Sequence, residues 1–372
     1  MPPGCRLLKG SITEHGHASG GRSCPWPNEY NSNHPQRGQG MAAPATPQGG
    51  LSLSLSLPRM FKIESDSMSS WQARLSNFLI RHTIKPRLAA AKDAAGIRAV
   101  FNRGGLYKVP TGIRTTPATV NAVPGEWIET GGVPAQLMLF LHGGGYVACT
   151  LKTHRPYACF FAECGFHVFM PDYRLAPEHP FPAALDDAIA AYRGMRNAHP
   201  DASIVIAGDS AGGGLALATI LRLKQEGDEL PCAAALFSPL TDLTGAGDSR
   251  VTNDKKCAMF YGKKLDSIVP YYVPRVTGDA LKNPLMSPVY GDYHGFPPLL
   301  IHVGEDETLR DDSVRLAARA REARVEVEIK RWPAVTHDWQ LLYRFVPEGR
   351  QSLEQAAVFL KQHSNLARAV SR

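Results

Sequence analysis

The chain has 372 residues, 44% of them hydrophobic, and a formal charge of +7 from 41 Lys and Arg set against 34 Asp and Glu. This length and apolar content suffice for one large α/β core, and no apolar run is long enough to span a bilayer, so stable membrane insertion is not expected. The surplus charge is modest and scattered, without an aromatic-studded basic stripe, which argues against nucleic acid as a partner.

Residues Met1 to Pro58 are rich in Gly, Pro, Ser, Asn and His and show no sustained periodicity. Residues 1–59 therefore read as a disordered or non-essential extension, and residues 60–372 as the folded domain. The Leu/Ser alternation from Leu51 to Leu57 is short and stops at Pro58, so low complexity is preferred over a strand. No basic start leads into an apolar core and a small-residue cleavage site, so no secretion signal is read, and Met60 or Met68 is the expected natural start. The seven cysteines (Cys5, Cys24, Cys149, Cys159, Cys164, Cys232 and Cys257) are odd in number and irregular in spacing. They read as free thiols of a reducing, cytoplasmic protein, and no Cys/His spacing suggests a metal site.

From Ser70 the pattern turns helical, with Trp71, Leu75, Phe78, Leu79 and His82 on one face. Packing against a core and lying at a membrane interface are both open readings of that face. Gln136 to Leu141 is a continuous apolar strand that ends in His142-Gly143-Gly144-Gly145-Tyr146. Phe166 to Met170 reads as a strand and Ala183 to Arg196 as an amphipathic helix. Ser203 to Ala207, a further apolar strand, runs into Gly208-Asp209-Ser210-Ala211-Gly212 and then a helix. Strand, sharp turn and helix around G-x-S-x-G is the setting of a nucleophile elbow, in which the serine hydroxyl is pushed out of the chain. Ala233 to Ser238 is another strand, and residues 252–290 are rich in aromatic side chains. Leu299 to Val303 and the alternating Val325 to Lys330 are strands, while Asp312 to Ala323 and Leu353 to His363 are helices. Such alternation predicts a mainly parallel sheet covered on both faces.

Three motifs, HGGGY at His142, DYRLAPEHPFPAA from Asp172 to Ala184, and GDSAGG at Gly208, stand in this order. From about Met68 to the C-terminus the chain resembles the hormone-sensitive-lipase-like family of α/β-hydrolase esterases, in the branch whose elbow reads GDSAG. The resemblance implies an α/β-hydrolase fold with a helical cap, assigned here to about residues 68–105 and 252–290. It implies no cofactor, a small-molecule ester as partner, and a triad in the chain order Ser, acid, His. Ser210 is then the nucleophile, His337 the base in the loop after the last strand, and His142 a structural residue. Asp306, at the end of the strand Leu299 to Val303, is the expected acid, with Glu305 next. Glu307-Thr308 stands where the family more often has a single proline. The amides of Gly143, Gly144 and Ala211 are the expected oxyanion hole. The expected reaction is hydrolysis of short- to medium-chain carboxylic esters. An amidase or deacetylase, an interfacial lipase and a non-catalytic ligand-binding receptor are the alternatives, and His337 argues against the last. Oligomeric state is not legible, a homodimer being one option.

Overall fold

The computed structural model describes residues 69–102, 107–132 and 136–370, the compact unit lying within Glu64–Arg372. The expectations for residues 1–59, for Leu51 to Leu57 and for the start at Met60 or Met68 fall outside the described residues.

Two helices open the described chain, α1 (Trp71–Ala90) and α2 (Ala94–Phe101). Both begin at side-chain caps: Ser70 Oγ accepts from the Ala73 amide, and the Asp93 carboxylate from the Gly96 amide. Such caps satisfy donors that a helix start leaves unpaired. A hairpin follows, β1 (Arg114–Val120) and β2 (Val123–Glu129), turned by Asn121 and Ala122, both at positive φ. Two left-handed residues are what a tight hairpin turn matched to the strand twist requires.

Strands and helices then alternate: β3 (Gln136–Leu141), α3 (Leu151–Glu163), β4 (His167–Pro171), α4 (Ala183–Ala198), β5 (Ser203–Asp209), α5 (Ser210–Glu226) and β6 (Ala234–Phe237). Three short helices, α6 (Ser249–Thr252), α7 (Gly262–Asp266) and α8 (Val269–Tyr272), occupy the segment before β7 (Leu299–Gly304). The chain closes with α9 (Arg310–Glu322), β8 (Val327–Trp332) and α10 (Pro347–Val370).

The eight strands form one sheet in the order β1-β2-β4-β3-β5-β6-β7-β8. The neighbours from β4 through β8 pair parallel, and β2 is antiparallel to both β1 and β4. Side chains alternate between two apolar layers. Leu137, Leu139, Ile204 and Ile206 pack on one face of the sheet, and Met138, Phe140 and Val205 on the other. Burial on both faces is why these strands read as unbroken apolar runs. The parallel order carries the ends of β3, β5, β7 and β8 to one edge, where open α/β sheets place their sites.

Of the open readings of the α1 face, packing against the core is the one the structure does not show. The stripe Trp71, Leu75, Phe78, Leu79 and His82 on α1 is exposed and does not pack inward. The inward face of α1 carries Ala73, Ser76 and Lys85, with Leu88 and the partly buried Ile84 packing into the core towards its C-terminal end.

Candidate active site

Ser210 stands between β5 and α5 with φ of +51°, a conformation costly for a residue with a side chain and sustained by its surroundings. A methyl group at Gly208 would lie 2.5 Å from the Gly212 carbonyl oxygen, and one at Gly212 would strike the Leu141 and His142 carbonyls. The elbow therefore tolerates glycine alone at those two positions. The Ser210 carbonyl accepts from the Leu240 amide at 2.8 Å, tying the elbow to the loop after β6.

His337 lies in the loop after β8 and is 1% exposed. Its Nδ1 is 2.5 Å from Oε2 of Glu307. The other carboxylate oxygen of Glu307 accepts from Ser238 Oγ and from the Gly304 amide, each at 2.6 Å. Glu307, not Asp306, is thus the carboxylate on the imidazole. The chain reverses just after β7, where the Glu307 amide bonds the Gly304 carbonyl at 3.2 Å. That turn returns Glu307 to the interior, whereas Asp306 is half exposed and Glu305 pairs with Arg310 and Arg331. The longer glutamate arm spans the extra residue of the turn. The missed signal was the Glu307-Thr308 pair that departs from the usual pattern.

The oxyanion side also differs from expectation. The Gly143 amide donates to both carboxylate oxygens of Asp209 at 3.1 Å and is committed there. Gly144, at φ of +115°, and Gly145 line the pocket beside Ser210, and Gly143 does not. The amides of Gly144 and Gly145 are bonded to no protein group among the described residues. Together with Ala211, at the start of α5, they are the available donors.

Asp209, the variable residue of the elbow motif, was not singled out from the sequence. It is fully buried and receives His154 Nε2 at 3.0 Å in addition to the Gly143 amide. Burial works against a charge on His154, but Asp209 outweighs it and holds the histidine pKa above its usual value. Asp209 thereby fastens two elements to the elbow, the glycine loop through the Gly143 amide and α3 through His154. His142 has the structural role assigned to it. Its Nδ1 meets the Gly143 carbonyl, Tyr173 stacks on its ring at 4.3 Å, and burial lowers its pKa to about 4, so it stays neutral. The Tyr173 hydroxyl donates to the His142 carbonyl at 2.6 Å, so the second motif braces the first. We expect Asp209→Asn to lower kcat on p-nitrophenyl acetate by about 10²-fold, because ångström-scale displacement near a reacting centre carries that penalty. Wild-type kcat in a folded variant would remove the loop-fastening role.

A second carboxylate faces the His337 imidazole. Asp338 follows His337 in the left-handed region, φ +53°, and its Oδ2 lies 3.1 Å from His337 Nε2. The two form an ion contact without a hydrogen bond, so Nε2 is left without a hydrogen-bond partner beside the pocket. Burial alone would depress the His337 pKa. The charges of Asp338 and Glu307 outweigh burial and hold it well above the usual value. Burial pushes Asp338 itself up to about 6, with Asp209 and Glu307 adding to the rise and His337 opposing it. A base works only when neutral, so the raised His337 pKa moves the acid limb of kcat/KM to higher pH. Asp338→Asn should shift that limb to lower pH, with the difference visible above pH 6, where Asp338 carries its charge. An unshifted limb would show that Asp338 exerts no field on the base.

Ser210, His337 and Asp338 open onto one narrow cavity of about 40 Å³. Its apolar wall comes from Phe101 at the end of α2 and from Met259, Phe260, Ile268 and Tyr272 of the segment before β7. Phe260 meets the His337 ring edge-on at 4.9 Å, and Tyr272 stacks on Tyr146 at 3.7 Å.

The profile of the family described as alpha/beta hydrolase fold matches residues 138–341, from within β3 to just past His337. The chain is 37% identical over 245 residues to an acetyl-hydrolase of Streptomyces hygroscopicus, covering 65% of this chain and 81% of that protein. Similarity to an esterase of Acinetobacter venetianus is 32% over 294 residues, 78% of this chain and 96% of the relative. The crystal structure of an esterase from the bacterial hormone-sensitive lipase family superposes with a TM-score of 0.73 at 36% identity, over 80% of this chain and all of that one. The chain belongs to the hormone-sensitive-lipase-like family of α/β hydrolases. It is a carboxylic ester hydrolase of that family. Within the family frame, Ser210 and His337 stand where the sequence motifs predicted. The carboxylate on the imidazole is Glu307, one residue beyond the expected Asp306, and the glycine amides without a partner are those of Gly144 and Gly145, one residue on from the expected pair Gly143 and Gly144. Among the described residues, no helix is long and apolar enough to cross a membrane. Among the described residues five cysteines carry free thiols, of which Cys149, Cys159 and Cys257 are buried.

Proposed function

We propose that this hydrolase cleaves short-acyl carboxylic esters through an acyl-enzyme on Ser210, with His337 as base and Glu307 as its supporting acid. The single observation that carries the reading is the arrangement of Ser210 and His337 at one cavity, with Glu307 2.5 Å behind the imidazole. His337 Nε2 takes the Ser210 proton as Oγ attacks the ester carbonyl. The amides of Gly144, Gly145 and Ala211 hold the oxyanion of the tetrahedral intermediate. Glu307 fixes the Nδ1–H tautomer and stabilises the imidazolium. The alcohol departs with the proton from His337, and water then attacks the acyl group by the reverse sequence, releasing the acid and restoring Ser210.

The cavity, about 40 Å³, holds only a few water-sized groups, which suits an acetyl to butyryl group. The relative named acetyl-hydrolase agrees with a small acyl group. Phe101 at the end of α2 and the segment around α7 and α8 act as the cap, since Met259, Phe260, Ile268 and Tyr272 close the cavity over the serine. A p-nitrophenyl ester series with matched amides tests this. We expect kcat/KM to peak at acetyl to butyryl and to fall beyond about C8, with amides at least 10²-fold slower. A maximum at long chains, or amides equal to esters, would overturn the substrate class.

A further inference from the structure

Helix α1 is amphipathic in the inverse sense. Its polar side chains are spent on holding it to the body. Asn77 donates to the Ala334 carbonyl, Arg81 to the Lys255 and Lys256 carbonyls, and Lys85 to those of Asp254 and Cys257. The large apolar side chains of its first half point to solvent, Trp71 65% exposed, Leu75 39%, Phe78 58% and Leu79 48%, while Ile84 and Leu88 further along pack into the core. Phe345, 47% exposed, meets Trp71 edge-on at 5.7 Å and extends the patch. Scattered exposed apolar residues need no explanation, but a contiguous row on one helix face is characteristic of an interaction surface.

The row has a direction. Trp71, Leu75, Phe78, His82, Pro86 and Ala89 recur every three or four residues, so they share one face along the helix. Ala89, at its end, lines a wide surface cavity of about 790 Å³. Four lysines, Lys92, Lys255, Lys263 and Lys264, line the same cavity with only two acids, Asp254 and Asp266. Lys92, Lys255 and Lys263 are exposed, and Arg74 and Arg87 add exposed positive charge on α1 itself. Arg250 and Asp266 line both this cavity and the catalytic one, so the basic surface adjoins the entrance to Ser210.

An apolar row containing a tryptophan, next to lysines, fits the boundary of a bilayer carrying anionic headgroups. Apolar side chains enter the acyl boundary while the lysines meet the phosphates. We propose that α1 and the lysine cavity form a peripheral docking surface for an anionic membrane. The protein then lies on the bilayer without spanning it, with its active-site entrance facing the lipid. Charge complementarity selects this occupant over a second copy of the chain, whose own lysines would repel those of the first.

The test is co-sedimentation of the full chain with sucrose-loaded vesicles of pure phosphatidylcholine or of phosphatidylcholine with 30% phosphatidylglycerol. We expect binding to the anionic vesicles at least tenfold stronger than to the neutral ones, and weaker at 0.5 M salt, where charges are screened. Trp71→Ser with Phe78→Ser, both exposed, should reduce binding at least tenfold while hydrolysis of p-nitrophenyl acetate stays unchanged. Lys255→Glu with Lys263→Glu should abolish the preference for anionic lipid. Equal sedimentation of wild type and the Trp71/Phe78 variant, or no binding to either vesicle, would overturn the proposal. So would concentration-dependent dimerisation in light scattering that the Trp71/Phe78 variant abolishes, since the patch would then be a self-interface. None of these outcomes depends on the catalytic assignment.

Discussion

Glu307→Gln is expected to lower kcat on p-nitrophenyl acetate by about 10³–10⁴-fold, whereas Asp306→Asn should leave it within about twofold. Glutamine keeps the shape of the side chain, but its amide supplies no charge to stabilise the imidazolium and can enforce the wrong tautomer. Analogous carboxylate-to-amide changes in serine hydrolases cost this much. Asp306 is half exposed and makes no hydrogen bond to His337, so its charge is screened from the base. The two variants differ by one position in the chain and by about three orders of magnitude in expected effect. A reversal of the two results would return the acid to Asp306. Glu307 also accepts from Ser238 and Gly304, so circular dichroism should accompany the kinetics to separate lost chemistry from a loosened turn.

The second large effect is expected at the nucleophile. Ser210→Ala should reduce kcat by about 10⁴-fold or more, equivalent to about 5.5 kcal/mol of transition-state stabilisation. Folding should survive, since alanine fits wherever the serine side chain does and the Ser210 tie to the loop after β6 runs through its backbone carbonyl, which alanine keeps. Residual turnover above water is expected, because the amides of Gly144, Gly145 and Ala211 remain to bind an oxyanion.

Much of this molecule was legible in its sequence, for identifiable reasons. Strands β3, β5 and β7 are buried on both faces, so their composition alone marks them. Glycine is forced at 208 and 212 by backbone on the far side of the turn, and that packing is what makes the elbow motif readable. The β1–β2 hairpin escaped notice because β1 is an edge strand with a polar, mostly exposed sequence, Arg-Thr-Thr-Pro-Ala-Thr-Val. Helix α3 escaped because the polar run Lys152 to Arg155 and then Pro156 interrupt its apolar pattern. In the site, errors of one residue arose where a turn decides direction. A motif gives the order of residues, but the reversal between Gly304 and Glu307 decides which carboxylate points inward. Likewise, three consecutive glycines cannot reveal that the first amide is taken by Asp209. The outward apolar row of α1 was read correctly as a face, yet sequence periodicity cannot say which way a face turns.

The central claim is that Ser210 carries the acyl group during turnover. Treating the enzyme with a p-nitrophenyl alkylphosphonate and mapping the adduct by peptide mass spectrometry tests it directly. The account predicts one phosphonyl group per chain, on the peptide containing Gly208-Asp209-Ser210-Ala211-Gly212, with release of one equivalent of nitrophenol and loss of esterase activity. An adduct on another residue, or full ester hydrolysis by folded Ser210→Ala, would contradict it.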